Sequence, residues 1–473
     1  AAVFFASGKV VAAITYMVCD MVVVTPMVLF WGLAIGVLNP RESKRWFGLI
    51  GAAGTVGCIV AGYVVSLVGC ASATTLGEEV VWRFFQGLVG APMMPLGQAI
   101  AVNAFPADRH GQATSFWALG FVSANVFSPV IAGGLVENYG WPWIYYVTIP
   151  IGIAVFIAAW FIVPKEAKNP RSMDWTGFLS LIIGVATLQL MLARGQRLDW
   201  FDSNEIIIEA VIAIIAIHVF IVHTITGKSP FVDRALFRDR NYGLGQVFIF
   251  TVGAVMFLPL LLLPLLMQQI AGYPPIETGY LLLPRGIGSV IGLTIMSQMR
   301  DKVDPRPLIF LGLATMSWSA WDMSQWTVDV GSWDIAFPNF MQGCAASFIW
   351  APLNKLVLST LDRRIQDQGY AIFYLNFDIG SALGTASIIA LHSRHSQINH
   401  ATLSESVNPF NEWFRMGTGS GAWSLSDSSG LAAIEVEITR QAAMISYNNS
   451  FMVIAMALAA LIPLILLFRH DRP

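Results

Sequence analysis

Thirteen stretches of this chain are long and apolar enough to cross a lipid bilayer, and no other feature restricts its folding as strongly. They lie at 10 to 37, 46 to 70, 79 to 105, 110 to 137, 141 to 164, 174 to 194, 205 to 227, 242 to 270, 276 to 299, 307 to 325, 334 to 361, 367 to 393 and 447 to 468. A hydrocarbon core of about 30 Å is crossed by roughly 20 helical residues. Within lipid every backbone N–H and C=O must bond inside its own segment, so the stretches are helices and the chain is an all-α integral membrane protein. A hydrophobic share of 56% against 12% charged residues excludes a water-soluble domain. A formal net charge of -2 gives no electrostatic basis for binding nucleic acid. Cys19, Cys58, Cys70 and Cys344 sit in apolar segments without metal-ligand spacing, so neither a disulfide framework nor a metal site is expected.

The loops between spans alternate in charge. Eighteen of the 27 Lys and Arg residues fall on one side, in loops such as "NPRESKR", "PKEAKNPR" and "RDKVDPR", and six on the other. The positive-inside rule makes the first side cytoplasmic, with the C-terminus inside and the Ser/Gly-rich stretch 394 to 446 outside. Thirteen spans then place residue 1 outside, so a cytoplasmic N-terminus requires one further helix upstream, or two cramped helices within 1 to 37.

Two spans resemble each other. "RFFQGLVGAPMMPLGQAIAVNAFPADRHGQA" from Arg83 and "NFMQGCAASFIWAPLNKLVLSTLDRRIQDQGYA" from Asn339 both run aromatic-x-Gln-Gly, Ala-Pro, basic loop, Gly-x-Ala. Both run from outside to inside, so the halves are parallel copies, an arrangement that places substrate sites between them.

Ionisable side chains within the spans are sorted by depth. Asp20, Arg285 and Asp378 each lie about 13 to 17 Å from the end of their helix, too deep to reach water by extending along it. Asp20 and Asp378 are expected to load and release protons, and Arg285 to form a deep ion pair with an acid. Lys355, Asp322 and Glu209 lie near span ends and read as interfacial anchors, and His218 and His223 as packing residues. Arg83 is shallower, but positions 83, 86, 87, 90, 94 and 97 form one polar or small face, Arg, Gln, Gly, Gly, Met, Gly, as expected where a helix lines a cavity or packs closely. Asn339, the counterpart of Arg83, lacks the charge, so the shared frame does not itself require an arginine.

The chain resembles the fourteen-helix drug:proton antiporters of the major facilitator superfamily, the EmrB/QacA type, and within it the EmrB-like permeases. The marks run in order over about residues 80 to 470: "RFFQG" with "GAPMMPLGQA", "SPVIAGGLVENYGWPWIYYVTIPIG", "LARGQRLDWFDSNEI", "PFVDRALFRDRNY", "LLLPRGIG" followed by "RDKVDPR", and "SESVNPF". The resemblance implies two six-helix halves with two extra central helices: residues 1 to 164, then 165 to 241, then 242 to 473 with the outer loop 394 to 446. It implies proton coupling through Arg83, an antiporter motif at Ser128, Pro129, Gly133 and Gly134, and a gating loop at Asp301, Asp304 and Arg306. Three departures stand out: no "LDxT" aspartate exists, "GLAIGVLNPRESKRW" lacks the aspartate of the first gating motif, and the second-half helix that usually carries an arginine reads "YLNFDIGSALGTA", with Asp378 in its neighbourhood.

The expected activity is export of hydrophobic or amphipathic drugs across a bacterial inner membrane by alternating access, driven by the proton gradient with no other cofactor. Asp20, Arg83 and Asp378 would couple protons, and Gln86, Met93, Met94, Trp117, Phe340, Gln342, Tyr374 and Asn376 would line the cavity, where methionine and aromatic walls suit varied ligands. Relatives imply a periplasmic adaptor and an outer-membrane channel as partners. A dedicated exporter of a fatty acid or siderophore, an importer and a transport-inactive scaffold are the alternatives. Against an intramembrane enzyme, the chain has no HExxH or GxSxG, and "GTGSG" at Gly417 lacks phosphate-loop spacing.

Overall fold

The computed structural model describes residues 56–90, 131–162, 174–227, 232–299, 304–358, 360, 361, 365–408, 410, 411, 423–425 and 427–468. Every regular element among them is helical: α1 (Val56–Ser72), α2 (Leu76–Gly90), α3 (131–139), α4 (Trp143–Ile162), α5 (Trp175–Gly195), α6 (Asn204–Thr226), α7 (Arg240–Met256), α8 (Leu258–Gln269), α9 (Pro275–Met299), α10 (Pro305–Met323), α11 (Ser332–Leu358), α12 (Gln366–Glu405) and α13 (Ser428–Leu461). Six of the described helical stretches are long and apolar enough to cross a membrane.

Local chemistry sets several helix starts. The carboxylates of Asp174, Asp239 and Asp304 accept the N–H groups of Gly177, Tyr242 and Arg306 at 3.0, 2.7 and 3.0 Å, supplying partners for donors that a first turn leaves open. Asp304, expected in a gating loop, is thus the cap of α10. Arg306 donates from Nη2 to the carbonyl of Phe468, tying the start of α10 to the C-terminal segment.

Helices α7 to α13 share one extended apolar core, to which α5 adds Phe178, Leu181 and Val185. A second, smaller cluster of Leu67, Cys70, Ala71 and Tyr145 joins α1 to α4. The extra pair α5 and α6 is pinned at both ends. His223 Nε2 lies 2.9 Å from Asp174 Oδ1 at one end, and Arg194 donates to Glu205 and, at 2.9 Å, to Glu209 at the other. His223 therefore joins helices, as the packing reading expects. Along α6 apolar side chains face outward, Ile214 at 68% exposure, which suits a helix surrounded by lipid.

Two spans differ from expectation. The stretch 242 to 270 is one candidate span, Arg240–Gln269, but it is broken: α7 stops at Met256 and α8 begins at Leu258, because Pro259 in the first turn of α8 has no N–H to continue the ladder. The segment 394 to 446 is also not simply a loop. Helix α12 continues to Glu405 and α13 already begins at Ser428. At 40 residues, α12 is about 60 Å long, far more than a bilayer core needs. The two extensions are clasped by His392, whose Nδ1 lies 3.0 Å from Ser446 Oγ, and by His400, whose Nε2 lies 3.0 Å from Glu435 Oε1. Composition hid this hairpin because its residues are polar without being helix breakers.

Candidate functional site

Arg83 is only 5% exposed. Its Nη1 donates to Gln86 Oε1 at 2.7 Å, one turn along α2, and its Nε lies 3.5 Å from Glu79 Oε1, one turn back. The guanidinium carbon sits 5.0 Å from the ring centroid of Tyr145 on α4, a distance at which the ring's negative face attracts a cation. The Tyr145 hydroxyl in turn donates to Glu79 Oε1. Carboxylate, guanidinium, amide and phenol thus form one connected group across α2 and α4. Glu79 and Tyr145 were not singled out in the sequence. The spacing E-x-x-x-R, one turn apart, was the available signal for Glu79; nothing local points to Tyr145.

The second half builds a parallel arrangement from different positions. Gln342, the repeat counterpart of Gln86, also accepts from an arginine Nη1 at 2.7 Å, but that arginine is Arg285 on the neighbouring helix α9. Asn339, at the position equivalent to Arg83, is fully buried and donates to the Ile335 carbonyl at 2.9 Å. Arg285 Nη2 donates to the Met256 carbonyl at 2.9 Å, where α7 ends. Terminal carbonyls lack intrahelical partners and carry the negative end of the helix dipole, so a cation fits there. The ion pair expected for Arg285 is not formed among the described residues: its partners are an amide and a carbonyl, because the helix break offers an acceptor at the required depth. Close approach of α9 and α11 depends on Gly343, where a Cβ would collide with the Arg285 carbonyl.

Asp378, on α12, has no hydrogen bond or ion pair among the described residues. Its neighbour Phe377 packs in an aromatic group with Trp350 at 4.9 Å and Phe257 at 5.8 Å between centroids, and Trp350 also meets Tyr374 at 5.8 Å. Trp350 and Phe377 were likewise missed by reading the sequence. Of the expected cavity residues, Tyr374 is exposed and Phe340 partly so, whereas Gln86 and Gln342 are buried within their own halves by their arginines. Asn376 is held by α7, donating to the Gln246 carbonyl at 2.7 Å. An apolar cavity of about 210 Å³ lies off to one side between α7, α8, α12 and α13, lined by Ala254, Leu258, Leu383, Ser387 and Val453 among others. Asp20, Met93, Met94, Trp117, Ser128, Pro129 and Asp301 lie outside the described residues.

The antiporter motif's Gly133 and Gly134, on α3, meet the other half. A Cβ on Gly133 would fall 2.6 Å from the Pro275 carbonyl, so only glycine permits this approach of α3 to the start of α9. Beside it, Glu137 Oε2 accepts the Ile276 N–H at 3.2 Å, placing a carboxylate on the positive end of α9. The two halves touch at this point, on the predicted outer face. Exposed Tyr139, Trp141, Trp143 and Tyr146 surround the same end, as expected at a membrane boundary.

The family model for the Major Facilitator Superfamily matches residues 17–385. The Multidrug export protein EmrB of Haemophilus influenzae is 30% identical over 416 residues, covering 85% of this chain and 79% of that protein. The Fatty acid resistance protein FarB of Neisseria gonorrhoeae is 29% identical over 413 residues, covering 86% and 80%. Among solved structures, a peptide transporter, POT, superposes with a TM-score of 0.58 at 15% identity, covering 95% of this chain and 86% of that one, a likeness of fold.

Proposed function

The chain belongs to the major facilitator superfamily, a family of multi-pass membrane transporters, and from that premise we propose that it exports hydrophobic or amphipathic small molecules across a bacterial inner membrane in exchange for protons. Similarity to a multidrug export protein along 85% of the chain carries the reading. The geometry adds means. Contact between α3 and α9 closes the halves at one face, and rocking about the interface would open that face and close the other. A guanidinium within each half, one buried beside a carboxylate and one partly buried without one, gives charged groups whose partners protonation can change. Exposed Tyr374 and partly exposed Phe340 offer flat apolar contact without a fixed charge pattern.

In this reading the C-terminus is cytoplasmic and the hairpin of α12 and α13 stands outside the membrane, where a periplasmic adaptor leading to an outer-membrane channel would dock. A second substrate class is favoured by one observation: FarB, a fatty acid resistance protein, is nearly as similar as EmrB. The test uses purified protein in liposomes with an inward proton gradient and a fluorescent cationic dye, in parallel with a labelled long-chain fatty acid. Gradient-dependent movement of the dye, lost in Arg83→Ala, is the expected result. Movement of the fatty acid alone selects the second reading, and movement of neither ends both.

A further inference from the structure

We infer that Glu79 is the proton acceptor at the outer end of the first half, the group that receives a proton from outside and passes it inward. The inference rests on the proton-driven reading above and names a residue for it. Arginine does not release its proton under physiological conditions, so Arg83 itself cannot carry one. Any coupling through Arg83 needs an adjacent group that titrates, and Glu79 is the carboxylate the structure puts there, 3.5 Å from Nε.

Three features separate Glu79 from an ordinary acid in a first helical turn. Glu78 already serves that end of α2: its Oε2 accepts the Thr74 N–H at 2.8 Å and the Thr75 N–H at 3.3 Å, so a second carboxylate is not needed as a cap. The Glu79 side chain is only 17% exposed, although it lies three residues into the helix. Its two oxygens also differ. Oε1 takes the Tyr145 hydroxyl and faces Arg83, whereas Oε2 is buried and has no hydrogen-bond partner among the described residues. A buried carboxylate oxygen without a donor is an unsatisfied acceptor, and it marks the position at which a proton can add.

The step balances simply. A proton from the outer solution adds to Oε2 and forms an O–H bond, while Oε1 keeps its hydrogen bond from Tyr145. Neutralised Glu79 no longer attracts the Arg83 guanidinium, which then rests on Gln86 and the Tyr145 ring. Loss of the proton toward the inner solution restores the anion and the pair. The described elements around Glu79 bring no competing charge. Helix α1 has Cys58, Tyr63 and Cys70 as its only titratable side chains, and α4 has Tyr145 and Tyr146. On α2 itself the charged residues are Glu78, Glu79 and Arg83.

The experiment compares wild type, Glu79→Gln, Glu79→Asp and Glu78→Gln, each reconstituted in liposomes, with ethidium as probe and the external pH varied under an outward, inside-acid proton gradient. Gln keeps an oxygen that can accept from Tyr145 and Arg83 but cannot titrate. The expected result is that E79Q loses gradient-driven accumulation while still equilibrating ethidium down its own gradient. Glu79→Asp should keep accumulation with a displaced pH profile, and Glu78→Gln, which alters only the exposed cap of α2, should keep both. Accumulation by E79Q with the wild-type pH profile overturns the inference and leaves the proposed function standing. Glu78→Gln behaving like E79Q also overturns it, since the loss would then follow from removing any carboxylate at the start of α2. If E79Q does not assemble, judged by gel filtration, the profile of Glu79→Asp decides, and an unchanged profile is a negative result. No gradient response in wild type removes the inference together with the reading it rests on.

Discussion

The two halves hold the same chemical pair, an arginine Nη1 on a glutamine Oε1 at 2.7 Å, and reach it by different routes. In the first half the arginine and glutamine share one helix, and a carboxylate and a phenol complete the group. In the second half the arginine comes from the next helix and is completed by a carbonyl at a helix break. The pair Arg83 and Gln86 is therefore local and its charge is balanced by Glu79, while Arg285 is a cross-helix tie without a counter-ion among the described residues. One frame, duplicated, holds an arginine beside a carboxylate in one copy and a cross-helix brace in the other. The difference comes from residues off the repeat, Glu79 and Tyr145 in the first half and Arg285 and Pro259 in the second.

Substituting the two arginines tests this contrast most severely. Arg285→Leu leaves the Gln342 amide oxygen and the Met256 carbonyl buried without a donor, for a loss of about 2 to 6 kcal/mol, while Arg83→Leu, with Glu79 still bonded to Tyr145, loses about 1 to 3 kcal/mol. Thermal unfolding in detergent should rank them so, and equal losses would erase the distinction. Next in size is Gly133→Val, which forces α3 off the Pro275 carbonyl and disfavours outer closure by about 1 to 3 kcal/mol. Labelling of a single cysteine in the outer half of the cavity should become faster. A smaller effect is expected from Tyr145→Phe, about 0.5 to 1.5 kcal/mol of stability for one hydrogen bond, again by thermal unfolding. Smallest is Glu137→Gln, which weakens the charge on the start of α9 by about 0.3 to 1 kcal/mol, seen as a slight rise in the same labelling rate that high salt should mimic.

Much of the fold was legible before any coordinates. Apolar runs found the helices from α5 onward, and the resemblance marked α5 and α6 as an added pair. The capping aspartates Asp174, Asp239 and Asp304 stand where helix starts need them. The long extensions of α12 and α13 were read as loop because a hydropathy window ends where the lipid ends, while a helix can continue into water on its own hydrogen bonds. The candidate site was half legible. Arg83 with Gln86 follows from helical spacing alone. The partner of Arg285 does not, since an expected acid gave way to an amide and a carbonyl that are far away in sequence.

What the sequence determined by itself is therefore what depends on the solvent and on short spacing: that the chain lives in a membrane, where it crosses, and which polar groups lie too deep to reach water. Those follow from the cost of burying unsatisfied groups in lipid, which is paid residue by residue. Only the tertiary structure decided which neutral or charged partner each buried cation meets. In a duplicated fold the same backbone frame leaves that choice open, and it is settled by contacts between helices: Tyr145 reaching Glu79 across α2 and α4, and the broken end of α7 reaching Arg285.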